Sequence, residues 1–348
     1  MSVRVRRLAA SAVVVALGIA ALELGGLGYV GSKVRAFAGV PNGTAPQAIL
    51  DRGIAANGTT ALLAAGDIVK CEERPGLKDL LPATAELLGL RSALDPTTAS
   101  AMETAELAQT FPDIPILALG DTVYSRGSPA EFAHCFEPVW GNLKPRILPT
   151  PGNHEYRMPG AFGYYDYFGA QAGPDRKGWY ALRAPGWLIL SLNSEADAAP
   201  GSLQGEWLAG QLSGAEGACV LAFYHKPAHS LADRDKRENA VELFRQLQKG
   251  GAALVLNGHN HFYERTAPLD GQGRPVGEKG TVAFTVGTGG RTRDPLPFVA
   301  ATRTATFGMT GLLKLALGKR HYEWSFISAR TKRTLDQGSA RCTPITKR

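Results

Sequence analysis

Five short apolar segments of the sequence each run directly into polar side chains that can bind a metal ion. Aspartate, asparagine and histidine supply the oxygen and nitrogen donors that hard or borderline metals prefer, and no cysteine stands among them. The pattern therefore predicts one metal site assembled from distant parts of the chain. Five of the seven histidines lie in or just after these segment ends, as His154, His225, His229, His259 and His261.

The number of candidate ligands predicts two metal ions rather than one. Six side chains at the segment ends are more than one tetrahedral ion can bind. An aspartate such as Asp121 could bridge two ions that lie about 3.5 to 4 Å apart, as in two-metal hydrolases. The six candidates are Asp67, Asp121, Asn153, His225, His259 and His261.

The apolar segments themselves predict an α/β fold. Continuous apolar runs suit strands that are buried on both faces, and helical patterns at 129–136, 203–212 and 239–249 lie between them. In such sheets ligands bind beyond the carboxyl ends of the strands, which is where the polar side chains fall. We therefore expect these side chains to converge at one edge of the sheet.

The C-terminal part of the sequence predicts a second sheet packed on the first. Its β-rich runs lie at 281–286, 309–317 and 321–327. Gly287-Thr288-Gly289-Gly290, after the first run, matches no phosphate-binding fingerprint, so we interpret it as a turn.

The composition is that of a globular chain with a large core. Of 348 residues, 44% are apolar and 20% are charged, which excludes a disordered, collagen-like or polytopic membrane protein. Residues 1–38 hold five basic residues and one acidic residue, so the net charge of +7 falls to +3 without them. We therefore expect no nucleic-acid partner, and we expect residues 331–348 to form a solvated basic tail.

The N-terminus has the layout of an export signal. Three arginines precede an apolar run at 8–22, and Ala36-Phe37-Ala38 offers a cleavage site for a signal peptide at 1–38. The apolar stretch can also be extended, and residues 8–30 would then be long enough to anchor the chain in a membrane. Both interpretations place the mature chain outside the cytoplasm, and N-terminal sequencing of the exported protein separates them.

Four cysteines make an even count in a chain that we predict to be exported. One or two disulfides are therefore expected, with three connectivities open, and buried free thiols are the alternative. No CxxC pair supports a zinc finger or a thioredoxin. The cysteines are Cys71, Cys135, Cys219 and Cys342.

The polar residues also form ordered blocks: Gly66-Asp67, Gly120-Asp121-Thr122-Val123-Tyr124, Gly152-Asn153-His154-Glu155, His225 and Gly258-His259-Asn260-His261. In this order they resemble the calcineurin-like metallophosphoesterases, and among them the purple acid phosphatases and their bacterial relatives. The resemblance covers 66–265. It implies two packed mixed β-sheets flanked by helices, an αββα sandwich, with residues 39–330 as the catalytic domain.

The resemblance further implies how the ligands divide between the ions. Asp67, Tyr124 and His261 would bind one ion, Asn153, His225 and His259 the other, and Asp121 both. Many members of the superfamily carry a histidine where this chain has Val69, so the first ion needs Tyr124. A phenol, with a reference pKa of about 10, binds well only to a strongly acidic metal. This favours Fe(III), with Zn, Mn or Fe(II) at the other position.

The remaining residues of the blocks have roles implied by the same resemblance. His154 would stabilise the transferring phosphoryl group or protonate the leaving oxygen, His229 would contact the substrate, and Glu155 would orient its neighbours. His134 and His321 are interpreted as structural.

The implied function is hydrolysis of small phosphate monoesters outside the cytoplasm. The alternatives are a phosphodiesterase or nucleotide hydrolase that uses the same metals, and a metal-bearing binding module without catalysis. Assays with an aryl phosphate and a bis-aryl phosphate distinguish the two kinds of esterase, and measurable turnover would exclude the binding module. The sequence does not indicate an oligomeric state.

Overall fold

Two mixed β-sheets pack face to face and carry the residues singled out in the sequence. The structure, a computed structural model, describes residues 44–73, 94–96, 99–232, 237–277, 279–292, 295–296 and 299–346. The predicted leader at 1–38, with the candidate anchor at 8–30, lies outside the described residues. In the part of the chain that the structure describes, no helix is long and apolar enough to cross a membrane.

The strands are, in chain order, β1 (Thr60–Ala65), β2 (Val69–Glu73), β3 (Leu94–Pro96), β4 (Ile116–Leu119), β5 (Val123–Tyr124), β6 (Ile147–Thr150), β7 (Tyr180–Ala184), β8 (Trp187–Ser191), β9 (Cys219–Phe223), β10 (Leu254–Asn257), β11 (Tyr263–Thr266), β12 (Val282–Val286), β13 (Thr302–Thr306), β14 (Gly311–Leu317), β15 (His321–Ser328) and β16 (Thr334–Arg341). The helices are α1 (Pro46–Leu50), α2 (Ala99–Gln109), α3 (Pro129–Glu131), α4 (Glu137–Trp140), α5 (Phe162–Phe168), α6 (Leu203–Ser213) and α7 (Glu238–Lys249). The helical patterns predicted at 129–136, 203–212 and 239–249 are confirmed, the first as α3 followed by a π-helical segment, Phe132–Phe136.

Each large sheet combines a parallel core with antiparallel strands. One has the order β16-β15-β14-β1-β4-β6, and the other β13-β11-β12-β10-β9-β8-β7. β1, β4 and β6 are parallel neighbours in the first sheet, and β8, β9, β10 and β12 are parallel in the second. A small sheet with the order β3-β2-β5 lies beside them.

The alternation of side chains along the strands explains the layers. In β1, Leu62 belongs to the core between the two sheets, whereas its neighbour Leu63 packs with Ala105 of α2. In β9, Leu221 faces the core between the sheets and Val220 packs with Leu243 of α7. Because successive residues of a strand point to opposite faces, continuous apolar strands fill both layers, and the predicted αββα sandwich is confirmed.

The C-terminal third differs from the expectation. The runs predicted at 281–286, 309–317 and 321–327 are strands, but they divide between the sheets: β12 pairs with β10, whereas β14 pairs with β1 and β15 with β14. Residues 334–341, expected to lie in a free basic tail, form the edge strand β16, which pairs with β15. Periodicity identifies a strand but not its partner, since pairing is set by distant residues.

Two disulfides fix distant parts of this frame. Cys71 of β2 is bonded to Cys135 of the π-helical segment, with Cα atoms 5.7 Å apart. Cys219 of β9 is bonded to Cys342, just after β16, with Cα atoms 6.0 Å apart. All four cysteines are thus paired, and one of the three connectivities left open by the sequence is selected.

A polar network joins the two sheets at β11 and β16. The Asp336 carboxylate accepts hydrogen bonds from Tyr263 Oη at 2.6 Å, from Arg265 Nε and Nη2 at 2.8 and 3.0 Å, and from Trp324 Nε1 at 3.0 Å. Burial opposes ionisation of Asp336, but the bonds from Arg265 and Tyr263 outweigh it and lower the pKa of the carboxyl.

We predict that Asp336→Asn lowers the free energy of unfolding at neutral pH by about 2 kcal/mol, because bonds to a charged acceptor are lost. The folded-state pKa is lowered, so this contribution is present above the unfolded-state pKa and is lost as pH falls through the folded-state value. The difference between wild type and variant should therefore shrink in acid. Urea unfolding at several pH values measures it.

The control for this variant is Asp175→Asn. Asp175 pairs with Lys177 at the surface, and an exposed ion pair contributes about 0.5 kcal/mol or less. Equal effects of the two substitutions, or an Asp336 effect that persists unchanged in acid, would contradict the role given to the network.

Candidate metal centre

All five predicted strand ends meet at one place in the structure. The sequence predicted convergence at the edge of one sheet, but β1, β4 and β6 belong to one sheet and β9 and β10 to the other. The site lies where the carboxyl ends of the two parallel cores face each other, because the sheets pack with these ends on the same side. The ligand candidates brought together are Asp67, Asp121, Tyr124, Asn153, His225, His259 and His261.

Three of these side chains form a tight group. Tyr124 Oη donates to Asp67 Oδ1 at 2.5 Å. His261 Nε2 lies 3.3 Å from the Tyr124 oxygen and 3.3 Å from Asp67 Oδ1. Asp67 is fully buried, whereas His261 is 25% exposed, so this group opens toward solvent on the His261 side.

A second group surrounds His225. Its Nε2 atom lies 3.3 Å from Asp121 Oδ1, 3.1 Å from Asn153 Oδ1 and 3.3 Å from His259 Nδ1. Ligand atoms of Asp121, His225 and His259 all lie within 4.8 Å of one another, and this trio forms a candidate metal-binding group. The backbone N–H of His259 also donates to Asp67 Oδ2 at 2.7 Å, which connects the two groups.

The site's electrostatics favour a cation between its carboxylates. Burial disfavours the charged forms, yet His261 lowers the pKa of Asp67 and His225 lowers the pKa of Asp121 below their usual values. Burial opposes charge on His225 as well, but Asp121 raises its pKa to about 10. Burial and then the neighbouring His225 lower the pKa of His259 to about 4. Ionised carboxylates at this depth need positive partners.

The backbone around the candidate ligands is held in unusual conformations. Asp67, Asp121 and His259 have φ angles of 60°, 48° and 69°, a left-handed region that costs free energy in residues other than glycine and often marks functional sites. Gly152 is required by close packing, because a Cβ atom there would lie 2.3 Å from Asp121 Oδ1. The glycines of the motifs thus let the loops that carry the candidate ligands approach one another.

Glu155 bonds to the backbone of the loops that carry the candidate ligands. Its buried carboxylate accepts from the backbone N–H groups of Asp121 at 3.0 Å, Thr122 at 2.7 Å and Gly152 at 2.8 Å. Burial and then Asp121 raise its pKa to about 7. His225 is oriented in a similar way, since its Nδ1–H donates to the Leu119 carbonyl oxygen at 2.8 Å and leaves Nε2 facing the site.

The two predicted catalytic histidines lie in different places. His154 is at the site: its ring centroid is 4.4 Å from that of Tyr124, and its Nε2 lies 3.8 Å from Asp121 Oδ2. The structure does not bring His229 into the group. Its ring packs edge-on against Phe244 of α7, with centroids 5.0 Å apart, and its Nε2 has no hydrogen-bond partner among the described residues.

Two residues at the site escaped the sequence analysis. The Glu131 carboxylate accepts from the backbone N–H groups of Ser125 at 2.5 Å and Ser128 at 2.8 Å, and so holds the loop after Tyr124. The capping-box spacing from Ser128 to Glu131 could have identified it. The guanidinium carbon of Arg291 lies 4.7 Å from the centroid of the Tyr124 ring, and no pattern in the sequence pointed to it.

Residues 104–263 match the family model of the calcineurin-like phosphoesterases. A curated relative, probable purple acid phosphatase 20 of Arabidopsis thaliana, is 26% identical over 226 residues, which are 56% of this chain and 52% of the relative. The chain thus spans about half the length of this relative.

Two solved structures resemble this chain in fold. Purple acid phosphatase PPD1 from yellow lupin (Lupinus luteus) seeds superposes with a TM-score of 0.64 and 18% identity, over 81% of this chain and 54% of the lupin protein. GAP50, the anchor in the inner membrane complex of Plasmodium, superposes with a TM-score of 0.56 and 11% identity, over 82% of this chain and 90% of GAP50. At these identities the likeness concerns the fold alone.

We predict that Glu155→Gln weakens metal binding about 10- to 100-fold, the usual effect of removing a group that orients ligands. The amide NH₂ would oppose the N–H groups of Asp121 and Gly152, which now share one carboxylate oxygen. Competitive metal titration measures the change. Glu206→Gln on the exposed face of α6 is the matched control, and equal affinities in the two variants would disprove the role of Glu155.

Proposed function

We propose that this protein hydrolyses phosphate monoesters with two metal ions held between its sheets. The observation that carries the proposal is the presence of two adjacent groups of donor atoms, one around Asp67 and one around His225, in which neighbouring donors lie 2.5 to 3.3 Å apart. Oxygen and nitrogen donors that converge this closely, with both carboxylates buried, are the ligand types that hard and borderline metal ions prefer.

The donor set fits the division of ligands that the sequence resemblance implies. The first group would hold Fe(III), because a phenol, with a reference pKa of about 10, binds as phenolate only to a strongly acidic ion. The second would hold Zn, Mn or Fe(II). When bound, such a pair supplies a hydroxide nucleophile and a Lewis acid. The ligands would be Asp67, Tyr124 and His261 for the first ion, Asn153, His225 and His259 for the second, and Asp121 for both.

His154 would act on the substrate rather than on the ions. Its Nδ1–H donates to the Ser125 carbonyl oxygen at 2.7 Å, and its backbone N–H donates to Asp121 Oδ1 at 2.9 Å. These two bonds orient the ring so that Nε2 can stabilise the transferring phosphoryl group or hold the proton for the leaving oxygen. The proposal therefore uses His154 and not His229.

We infer that the protein works outside the cytoplasm. The disulfides Cys71–Cys135 and Cys219–Cys342 support this, because such bonds persist in oxidising compartments. The charged and apolar N-terminal sequence supports it independently.

Metal analysis and phosphatase assays of the purified exported protein test the proposal together. We expect about two metal ions per chain and turnover of an aryl phosphate that chelation abolishes and added metal restores. A protein that binds no transition metal and cleaves no phosphate ester would refute it. Preferential turnover of a bis-aryl phosphate would show that the protein is a phosphodiesterase rather than a phosphomonoesterase.

We predict that the iron-loaded protein absorbs visible light through charge transfer from Tyr124 and that Tyr124→Phe abolishes the band. Absorption spectroscopy of the two proteins at equal iron content measures this. Tyr165→Phe is the matched control, because Tyr165 is also buried but bonds to Tyr156 rather than to a ligand. A band that survives in Tyr124→Phe would remove Tyr124 from the ligand set.

We predict that Asn153→Ala lowers both metal occupancy and turnover, with an affinity loss of at least about tenfold at one of the two positions. Metal analysis after dialysis against a weak chelator measures it. Asn193→Ala is the control for destabilisation, because the buried Asn193 amide bonds to Tyr156 and Lys177. Full occupancy in Asn153→Ala would exclude Asn153 as a ligand.

A further inference from the structure

The glycine-rich turn at 287–290 is packed directly against the loop that carries Asp67. Gly289 N donates to the Gly66 carbonyl oxygen at 2.8 Å. A Cβ atom on Gly290 would lie 2.0 Å from the Ile68 carbonyl oxygen, and one on Gly289 would lie 2.6 Å from that of Gly66. Only residues without side chains allow the turn to pack this closely on the Asp67 loop. This packing places the next residue, Arg291, beside the site.

Arg291 is held at two points beside the first donor group. Its backbone N–H donates to the Asp67 carbonyl oxygen at 3.2 Å, and its guanidinium carbon lies 4.7 Å from the centroid of the Tyr124 ring. Tyr124 thus has His154 and Arg291 as neighbours. No ion pair of Arg291 with a carboxylate occurs within the described ranges.

A second arginine contacts the next residue of the same loop. Arg157 Nη1 donates to the Ser125 carbonyl oxygen at 3.2 Å, the same oxygen that accepts from His154 Nδ1. The side chain is otherwise exposed, and it too has no carboxylate partner in the described part of the chain. Some arginines away from the site do have such partners, among them Arg245 with Glu242 and Arg265 with Asp336.

The balance of charge at the site indicates what the arginines would bind. Under the proposed function, two carboxylates and a phenolate leave the metal pair with about two positive charges, which a phosphate monoester dianion neutralises. Arg157 and Arg291 then add two permanent positive charges that no described carboxylate balances. Guanidinium groups bind phosphate oxygens in a bidentate manner, so a further phosphate group fits them.

We propose that Arg157 and Arg291 bind a second phosphate group of the substrate, and that the protein prefers substrates in which the leaving group carries a phosphate over simple monophosphate esters. This inference rests on the proposed function for its catalytic consequence. It makes the two arginines specificity-determining residues, Arg291 at the ring of Tyr124 and Arg157 at the carbonyl oxygen of Ser125.

Binding of two phosphonates tests the inference without turnover. Calorimetry of the metal-loaded protein compares methylenediphosphonate with methylphosphonate, neither of which is hydrolysed. We expect Arg291→Gln and Arg157→Gln each to lower the preference for the diphosphonate about tenfold, the effect of losing one charge-assisted contact. Metal content after each titration shows whether the diphosphonate has removed ions. Arg245→Gln, an ion-paired surface arginine of α7, should leave the preference unchanged.

Steady-state kinetics with two substrates provide a second test of the inference. We expect each substitution to lower kcat/KM for ADP about tenfold more than for p-nitrophenyl phosphate, with Arg291→Lys losing less than Arg291→Gln because it keeps the charge. Equal losses on both substrates, or no loss of preference in either arm, would overturn the inference. If the wild type hydrolyses neither substrate, the proposed function fails, and the phosphonate preference alone then decides the role of the arginines.

Discussion

Two carboxylates without access to solvent impose the main constraint on this structure. Asp67 is fully buried and Asp121 is 2% exposed, and an ionised carboxylate at that depth costs several kcal/mol unless donors or cations surround it. The surrounding loops meet this requirement: His259 N and Tyr124 Oη donate to Asp67, and His154 N donates to Asp121. Left-handed backbone at both aspartates is tolerated because the facing sheets fix the chain on either side.

The strands that lead to the candidate site could be predicted from the sequence because each is a continuous apolar run with an abrupt polar end. That signal is local, so it identifies β1, β4, β6, β9 and β10 together with the residues that follow them. The sheet to which each strand belongs depends on pairing between distant residues, and the prediction of a single sheet edge was therefore wrong. The αββα architecture followed from family resemblance, and the alternation of Leu62 and Leu63 between two cores is its physical basis.

Features that depend on single side chains could not be predicted from the sequence, because a single side chain leaves no periodic pattern. Strand β16 is largely polar because it lies at a sheet edge, and it is fixed by Asp336 and by its pairing with β15, so its sequence resembles a solvated tail. Arg291 follows four residues that indicate only a turn. For His229, sequence position was a poor guide to side-chain packing. Its position four residues after His225 suggested a substrate contact, whereas in the structure its ring packs on Phe244.

The Asp336 network also determines how small a working version of this protein can be. The region that matches the family model ends at residue 263, yet Tyr263 and Arg265 bond to a residue more than seventy positions later, and β1 pairs with β14. A fragment cut after residue 263 would leave β1 without its neighbour β14 and Tyr263 without the carboxylate of Asp336. Anyone who transplants this centre into another scaffold must therefore carry the C-terminal strands along with it.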